Sequence, residues 1–272
     1  MKKINGFNYQ VDDSFEIHTL CQEKDVPLLV WSLASFLHYS KLYPKIIVHD
    51  DGTLTKRSAE FLQSKFSNLE VIFRGEADRL IKDMPGLSGK LLEYRGKGHN
   101  LILKLVDICL LSKGSKIMVL DTDVLFFNEP QEIRGFMLND QYDSLISAHD
   151  GSYDLGIDKN YLNKHDLFNK RAAYMNSGII LFKKDKLTQD MLLGYFDSCL
   201  RDFGDYFVEM AGWGCIIAQT NYSLLPINKY IIKSKPTDNT IAKHFTSPRR
   251  HEFYIYGIDK IRKVIKYGSN KE

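Results

Sequence analysis

Residues 117–127 read IMVLDTDVLFF, an apolar run interrupted by Asp121-Thr122-Asp123 and then resumed. Two carboxylates at the end of a buried strand are costly unless something compensates their charge. Two chemistries fit. An Asp-x-Asp turn offers two oxygen ligands to one Mg²⁺ or Mn²⁺ while leaving other positions for water and phosphate oxygens. Such an ion neutralises the charge that develops on a departing diphosphate. Alternatively, Asp121 is a nucleophile and Asp123 its acid, as in haloacid-dehalogenase-like phosphatases, whose first strand ends in a similar string. A third reading has both side chains merely capping turn amides. The triplet by itself leaves these open.

The elements around the triplet bear on the choice. FEIHTLC (15–21), KIIVHDDG (45–52) and LEVIFRG (69–75) read as strands. VPLLVWSLASFLHYSKL (26–42), TLTKRSAEFLQSKF (53–66) and NLILKLVDICLLSK (100–113) read as helices. Alternating strand and helix predicts an α/β fold with a mostly parallel sheet covered on both faces. Beyond residue 128 the pattern is mixed. Strands are expected over 142–150 and 174–185, with helices over 186–200 and 212–220 and an irregular polar stretch over 152–173. No linker or repeat divides the chain, so one domain over 1–272 is expected, its nucleotide-binding half 1–128 and its acceptor-side half 129–272. In open α/β sheets ligands sit beyond the strand carboxyl ends. The Asp pair, the QEKD loop (22–25) and the HDDGT loop (49–53) should therefore share one rim.

The chain has 272 residues, 44% hydrophobic and 26% charged, with a net charge of +3. That balance is too even to argue for a nucleic-acid partner. No stretch approaches the roughly 20 apolar residues of a membrane span. The opening MKKINGFNYQVDD has no apolar h-region, so a secretory signal is not expected. Cys21, Cys109, Cys199 and Cys215 are scattered among apolar neighbours, as buried thiols in a reducing cytoplasm would be.

The phosphatase reading meets an obstacle. Its motif normally opens a domain, whereas here the whole α/β pattern precedes Asp121, and no convincing downstream acidic pair follows. Other residues favour the metal reading. Lys104 lies within an apolar helical stretch, where an amine needs a partner such as a phosphate. YMNSGIILF carries Asn176-Ser177-Gly178, LLPINKY spans 224–230, and IAKHF carries His244. In order and approximate spacing these pieces resemble the GT-A glycosyltransferases, nearest to the glycogenin- and galactosyltransferase-like retaining family.

That resemblance implies a GT-A fold, transfer of a sugar from a nucleotide-diphosphate donor (UDP-linked), and a glycan or lipid-linked glycan acceptor. It implies Mn²⁺ or Mg²⁺ on Asp121, Asp123 and His244. It places Lys104 on the donor phosphates, Thr19 against the base, Asn176 facing the donor sugar, and Thr122 and Ser177 among the donor contacts. Asp50 or Asp51 would lie near base and ribose, with a helix cap at Asp51 or Thr53 as the alternative. Two departures stand out. The family's Asp-Gln pair falls near Gly212-Trp213, leaving Glu209, three residues upstream, as a substitute catalytic group. The family's C-terminal Gly-x-x-Lys-Pro-Trp is also missing, leaving Arg249 or Arg250 for the diphosphate. These departures keep a non-catalytic sugar-nucleotide-binding module in view. GLSGKLLEYRGKGHN (86–100) reads as a solvent loop or a basic lid. In the tail, Ile258, Ile261, Val264 and Ile265 alternate with Lys260, Arg262, Lys263 and Lys266, which suits packing on the domain or weak membrane-surface contact.

Overall fold

The computed structural model describes residues 6–268. The chain starts with β1 (Asp12–Cys21), α1 (Val26–Ser40), β2 (Pro44–Asp50), α2 (Lys56–Lys65), β3 (Leu69–Ile72) and α3 (Arg74–Lys82). It continues through α4 (Gly89–Lys97), α5 (Ile102–Leu111), β4 (Lys116–Leu120), β5 (Val124–Phe126), α6 (Gln131–Leu138), β6 (Ser144–Ala148) and α7 (Lys159–Lys164). Then follow β7 (Met175–Lys183), α8 (Gln189–Ser198), α9 (Val208–Ile217), β8 (Tyr222–Leu224), β9 (Tyr230–Ile231) and β10 (Ala242–His244). A short α10 (Arg250–Glu252) runs through a π-helical turn into α11 (Ile258–Gly268).

The main sheet has seven strands in the order β3-β2-β1-β4-β7-β6-β8. β3, β2, β1 and β4 are mutually parallel, and β7 runs antiparallel between β4 and β6. The expected α/β class with a mostly parallel sheet is what the chain adopts. Its strands are buried on both faces, which accounts for their continuous apolar runs. On one face Phe15, Ile17, Met118 and Leu120 pack with α1 and the terminal helix; on the other Ile117 and Val119 pack with α5, α8 and α9. A small second sheet, β5-β10-β9, places His244 opposite Val124, directly beside Asp123.

Three sequence expectations need correction. Residues 89–97 form a helix rather than a solvent loop. Ser88 caps it by accepting from Leu91 N at 3.2 Å, and Leu91, Tyr94 and Arg95 are buried. The α2 cap is Thr55, not Asp51 or Thr53, because Asp51 Oδ1 is taken by a tight turn to Thr53 N and Oγ1. The helix expected over 212–220 begins at Val208, one turn earlier, which brings Glu209 onto it. In α11, Ile261 and Ile265 are buried while Val264 is exposed; the side chains of Lys263 and Lys266 lie outside the described residues. Cys21, Cys109, Cys199 and Cys215 are all free thiols. No helix among the described residues is long and apolar enough to cross a membrane.

Candidate active site

The Asp121-Thr122-Asp123 turn leaves β4 at its carboxyl end and is held from three sides. Asp121 N donates to Gly178 O on β7 at 3.0 Å, and Phe245 N, just past β10, donates to Asp123 O at 2.8 Å. Ser32 Oγ on α1 donates to Asp121 O at 3.3 Å. These bonds fix the backbone, so each carboxylate has a definite aim.

Each carboxylate is anchored through one oxygen and free to bind through the other. Asp121 Oδ1 accepts from Lys104 Nζ at 2.6 Å, while its Oδ2 lies 3.4 Å from His244 Nε2. Asp123 Oδ2 accepts from Arg250 Nε at 2.9 Å, while its Oδ1 lies 3.1 Å from His244 Nε2. One ligand atom from each of Asp121, Asp123 and His244 lies within 4.8 Å of the others. Two carboxylate oxygens and an imidazole nitrogen suit a divalent cation such as Mn²⁺.

The Asn-Ser-Gly run of β7 builds the wall behind this group. Asn176 Oδ1 accepts from Gly178 N at 3.0 Å, which fixes the amide's orientation. The same oxygen lies 2.9 Å from His244 Nδ1, so Nδ1 donates to it and Nε2 is the ring nitrogen turned toward the carboxylates. Gly178 makes room for the ring, because a Cβ there would overlap the His244 imidazole. Ser177 Oγ donates to Glu209 Oε2 at 3.0 Å and accepts from Lys104 at 3.1 Å.

Lys104 is 2% exposed. Its ammonium faces Asp121 Oδ1 (2.6 Å), Glu209 Oε1 (3.0 Å), and Ser177 O and Oγ (both 3.1 Å). Burial works against its charge, yet the Asp121 and Glu209 carboxylates outweigh that and raise its pKa. Its three N–H groups donate to Asp121 Oδ1, Ser177 O and Ser177 Oγ, with the Glu209 carboxylate as a further charge, so Lys104 anchors Asp121 here. Glu209 is buried and its pKa is raised, first by desolvation and against the pull of Lys104. His244 is raised as well: desolvation opposes its charge, but the Asp123 carboxylate prevails. Asp123 is lowered, the charges of His244 and Arg250 overcoming its burial.

The remaining expected residues distribute unevenly. Arg250, not Arg249, reaches the site; it spans Asp123 and both oxygens of Asp25 in the QEKD loop at 3.1 Å, while Arg249 pairs with Glu252 at 3.5 Å. Thr122 is buried inside the turn. Thr19 is fully buried in β1 on the same face as α1, and its hydroxyl has no partner among the described residues. Asp51 sits on the rim, its Oδ2 3.5 Å from Asn100 Nδ2. Gly212-Trp213 lie in the core: a Cβ at Gly212 would overlap Leu105, and Trp213 is fully buried. Asp25 and Tyr206 were not among the expected residues. Asp25's only signal was its place in a polar loop at a strand end. Tyr206, half-exposed one turn before Glu209, has its pKa raised by burial and by the nearby Asp121 carboxylate.

The architecture is shared with solved glycosyltransferases. It is similar to the WbbM bifunctional glycosyltransferase (12% identity over 94% of this chain, TM-score 0.56), of which this chain spans about half, 51%. It is similar to mouse xyloside xylosyltransferase 1 (11% identity, 89% of this chain and 99% of that one, TM-score 0.52). It is also similar to galactosyltransferase LgtC, solved with donor and acceptor sugar analogs (14% identity, 92% of this chain and 95% of that one, TM-score 0.52). The fold is that of the GT-A glycosyltransferases. No protein-family model and no curated protein matches the chain. Within this GT-A frame, the Asp121-Asp123-His244 group stands at the carboxyl end of the parallel strands, where open α/β sheets bind ligands.

Proposed function

We propose that the chain transfers a sugar from a nucleotide-diphosphate donor, a UDP-sugar, to a glycan or lipid-linked glycan acceptor, with Mn²⁺ or Mg²⁺ on Asp121, Asp123 and His244. The observation that carries this reading is the paired anchoring: Lys104 and Arg250 each hold one carboxylate oxygen and turn the other toward His244 Nε2. A divalent ion there would neutralise the diphosphate leaving group. Lys104 and Glu209 keep Asp121 aimed, and Asn176 keeps the His244 lone pair facing the ion. Arg250 can exchange one of its Asp25 contacts for a diphosphate oxygen, since its guanidinium forks between the two loops. Glu209 and Asn176 are the candidates nearest the transferred sugar, and the retaining outcome is checked by the anomeric configuration of the product.

A phosphatase reading would need Asp121 free to attack. Instead Oδ1 is held by an ammonium at 2.6 Å, and the fold is a different one. The cytoplasmic setting belongs to the same proposal, with free thiols suiting a reducing compartment. Weak membrane-surface contact rests on the exposed Tyr254, Ile255 and Val264 beside Lys260 and Arg262; co-sedimentation with anionic vesicles tests it.

A thermal-shift panel of UDP-, GDP- and CDP-sugars with and without Mn²⁺ tests the donor. A ligand of the native state raises the melting temperature by mass action. UDP-sugars with Mn²⁺ should do so and the others should not; no shift with any nucleotide contradicts the proposal.

A further inference from the structure

Outside the Asp121 group, the stretch 152–174, which carries α7, surrounds a pocket of about 250 Å³ whose lining includes Tyr153, Asp154, Phe168, Arg171 and Tyr174. It is built rather than incidental. Arg201 Nε donates to Leu155 O at 3.1 Å, and Tyr153 Oη donates to Met210 O at 3.2 Å. Arg201 also lies over the Phe207 ring at 5.7 Å, and Phe207 stacks on Tyr153 at 6.1 Å. Gly156, at φ +60°, allows the Arg201 side chain to lie against the loop. Arg171, a non-glycine residue of the lining, is held at φ 53°, a conformation that other contacts must impose. Phe168, 79% exposed, belongs to the lining and leaves its ring accessible to a ligand.

We infer that this pocket binds one sugar ring of the acceptor glycan, beside the transfer site. Sugars present apolar C–H faces and a polar hydroxyl rim. The pocket answers with aromatic rings from Tyr153, Phe168 and Tyr174 and with polar groups from Asp154 and Arg171. Arg171 stacks over Tyr174 at 4.7 Å and has no carboxylate partner among the described residues, so its N–H groups are available to hydroxyls. The volume falls just under the roughly 300 Å³ at which pockets for drug-sized ligands begin, which suits a single ring. Tyr153 also links the pocket to the transfer site: its partner Met210 places Sδ 3.9 Å from Asn176 Nδ2. A ring seated here would set the direction of the acceptor chain relative to Asn176.

This inference rests on the glycosyltransferase reading, and its test separates the two. The full chain is saturated with UDP and Mn²⁺, and methyl glycosides of glucose, galactose, N-acetylglucosamine and N-acetylgalactosamine are added in turn. Saturation-transfer NMR reads binding for the wild type, Phe168→Ala and Arg171→Asn. Phe168 is exposed and Asn tolerates positive φ, so neither change should disturb folding. At least one glycoside should bind, and each variant should weaken it roughly tenfold, the loss expected of one ring or guanidinium contact. No binding by any glycoside, or equal binding in all three proteins, overturns the inference. Glycoside binding that needs Phe168 in a chain that fails to bind UDP with Mn²⁺ keeps the pocket and removes the donor reading instead.

Discussion

His244 holds a proton where the proposed cation would sit. Without metal, its imidazolium lies between Asp121 Oδ2 and Asp123 Oδ1, and the Asp123 carboxylate raises its pKa against burial. The sign follows from linkage. A raised folded pKa contributes stability that is fully present below the unfolded value near 6.5 and is lost as pH rises through the folded value. Metal and proton compete for Nε2, so Mn²⁺ affinity should rise with pH across that same window, read by calorimetric titration at several pH values. Asn176→Ala removes the acceptor that fixes the tautomer. It should weaken Mn²⁺ binding by about 10- to 100-fold while the circular dichroism spectrum stays unchanged. Asp121 and Asp123 were legible as a pair, and His244 through its place in a family order. What sequence could not show was the anchoring, because Lys104, Glu209 and Arg250 lie far from the turn in the chain. The apolar neighbours of Lys104 in sequence show that its amine needs a partner but not which one; Ser177 arrives from β7 and Glu209 from α9.

Elements place these side chains through close approaches that only small residues permit. Gly178 on β7 faces the His244 ring on β10. Gly178→Ala should push the imidazole aside, costing about 1–3 kcal/mol in chemical denaturation and moving His244 away from the proposed metal position. A second buried group belongs to the β1–β2 pair. Glu16 Oε2 accepts from His18 Nε2 at 2.9 Å, and His18 Nδ1 pairs with His49 Nε2 at 2.8 Å. Burial lowers both histidine pKa values, and with the Nε2 proton of His18 on Glu16, His49 donates to His18. Histidines depressed in the folded state are protonated first in the unfolded one, so they cost stability as pH falls below about 6.5. The wild type should lose urea resistance between about pH 6.5 and 5, and His49→Gln should flatten that loss. The strand rhythm of β1, β2 and β4 was readable because continuous apolar runs mark buried parallel strands. α4 was not, since two glycines and charged residues masked a face that buries only Leu91, Tyr94 and Arg95.

At the scale of the whole molecule, the parallel half of the sheet supplies the Asp121-Asp123 turn, the antiparallel half supplies Asn176 and Gly178, and the C-terminal segment closes the site with His244 and Arg250. Arg250 ties that segment to Asp25 across 225 residues of chain. The fold class was legible because alternation of strand and helix survives averaging over many residues. The closing segment was legible only in outline, because nothing local in HFTSPRR distinguishes the arginine that pairs with Asp25. Binding of UDP with Mn²⁺ should protect residues 232–250 from limited proteolysis, since both His244 and Arg250 would gain partners. The most direct test of the account is a calorimetric titration of UDP into the wild type and into Asp123→Asn, each with and without Mn²⁺. The account predicts that Mn²⁺ strengthens UDP binding at least about tenfold in the wild type and has no effect in Asp123→Asn. Equal UDP affinity in all four titrations would contradict it.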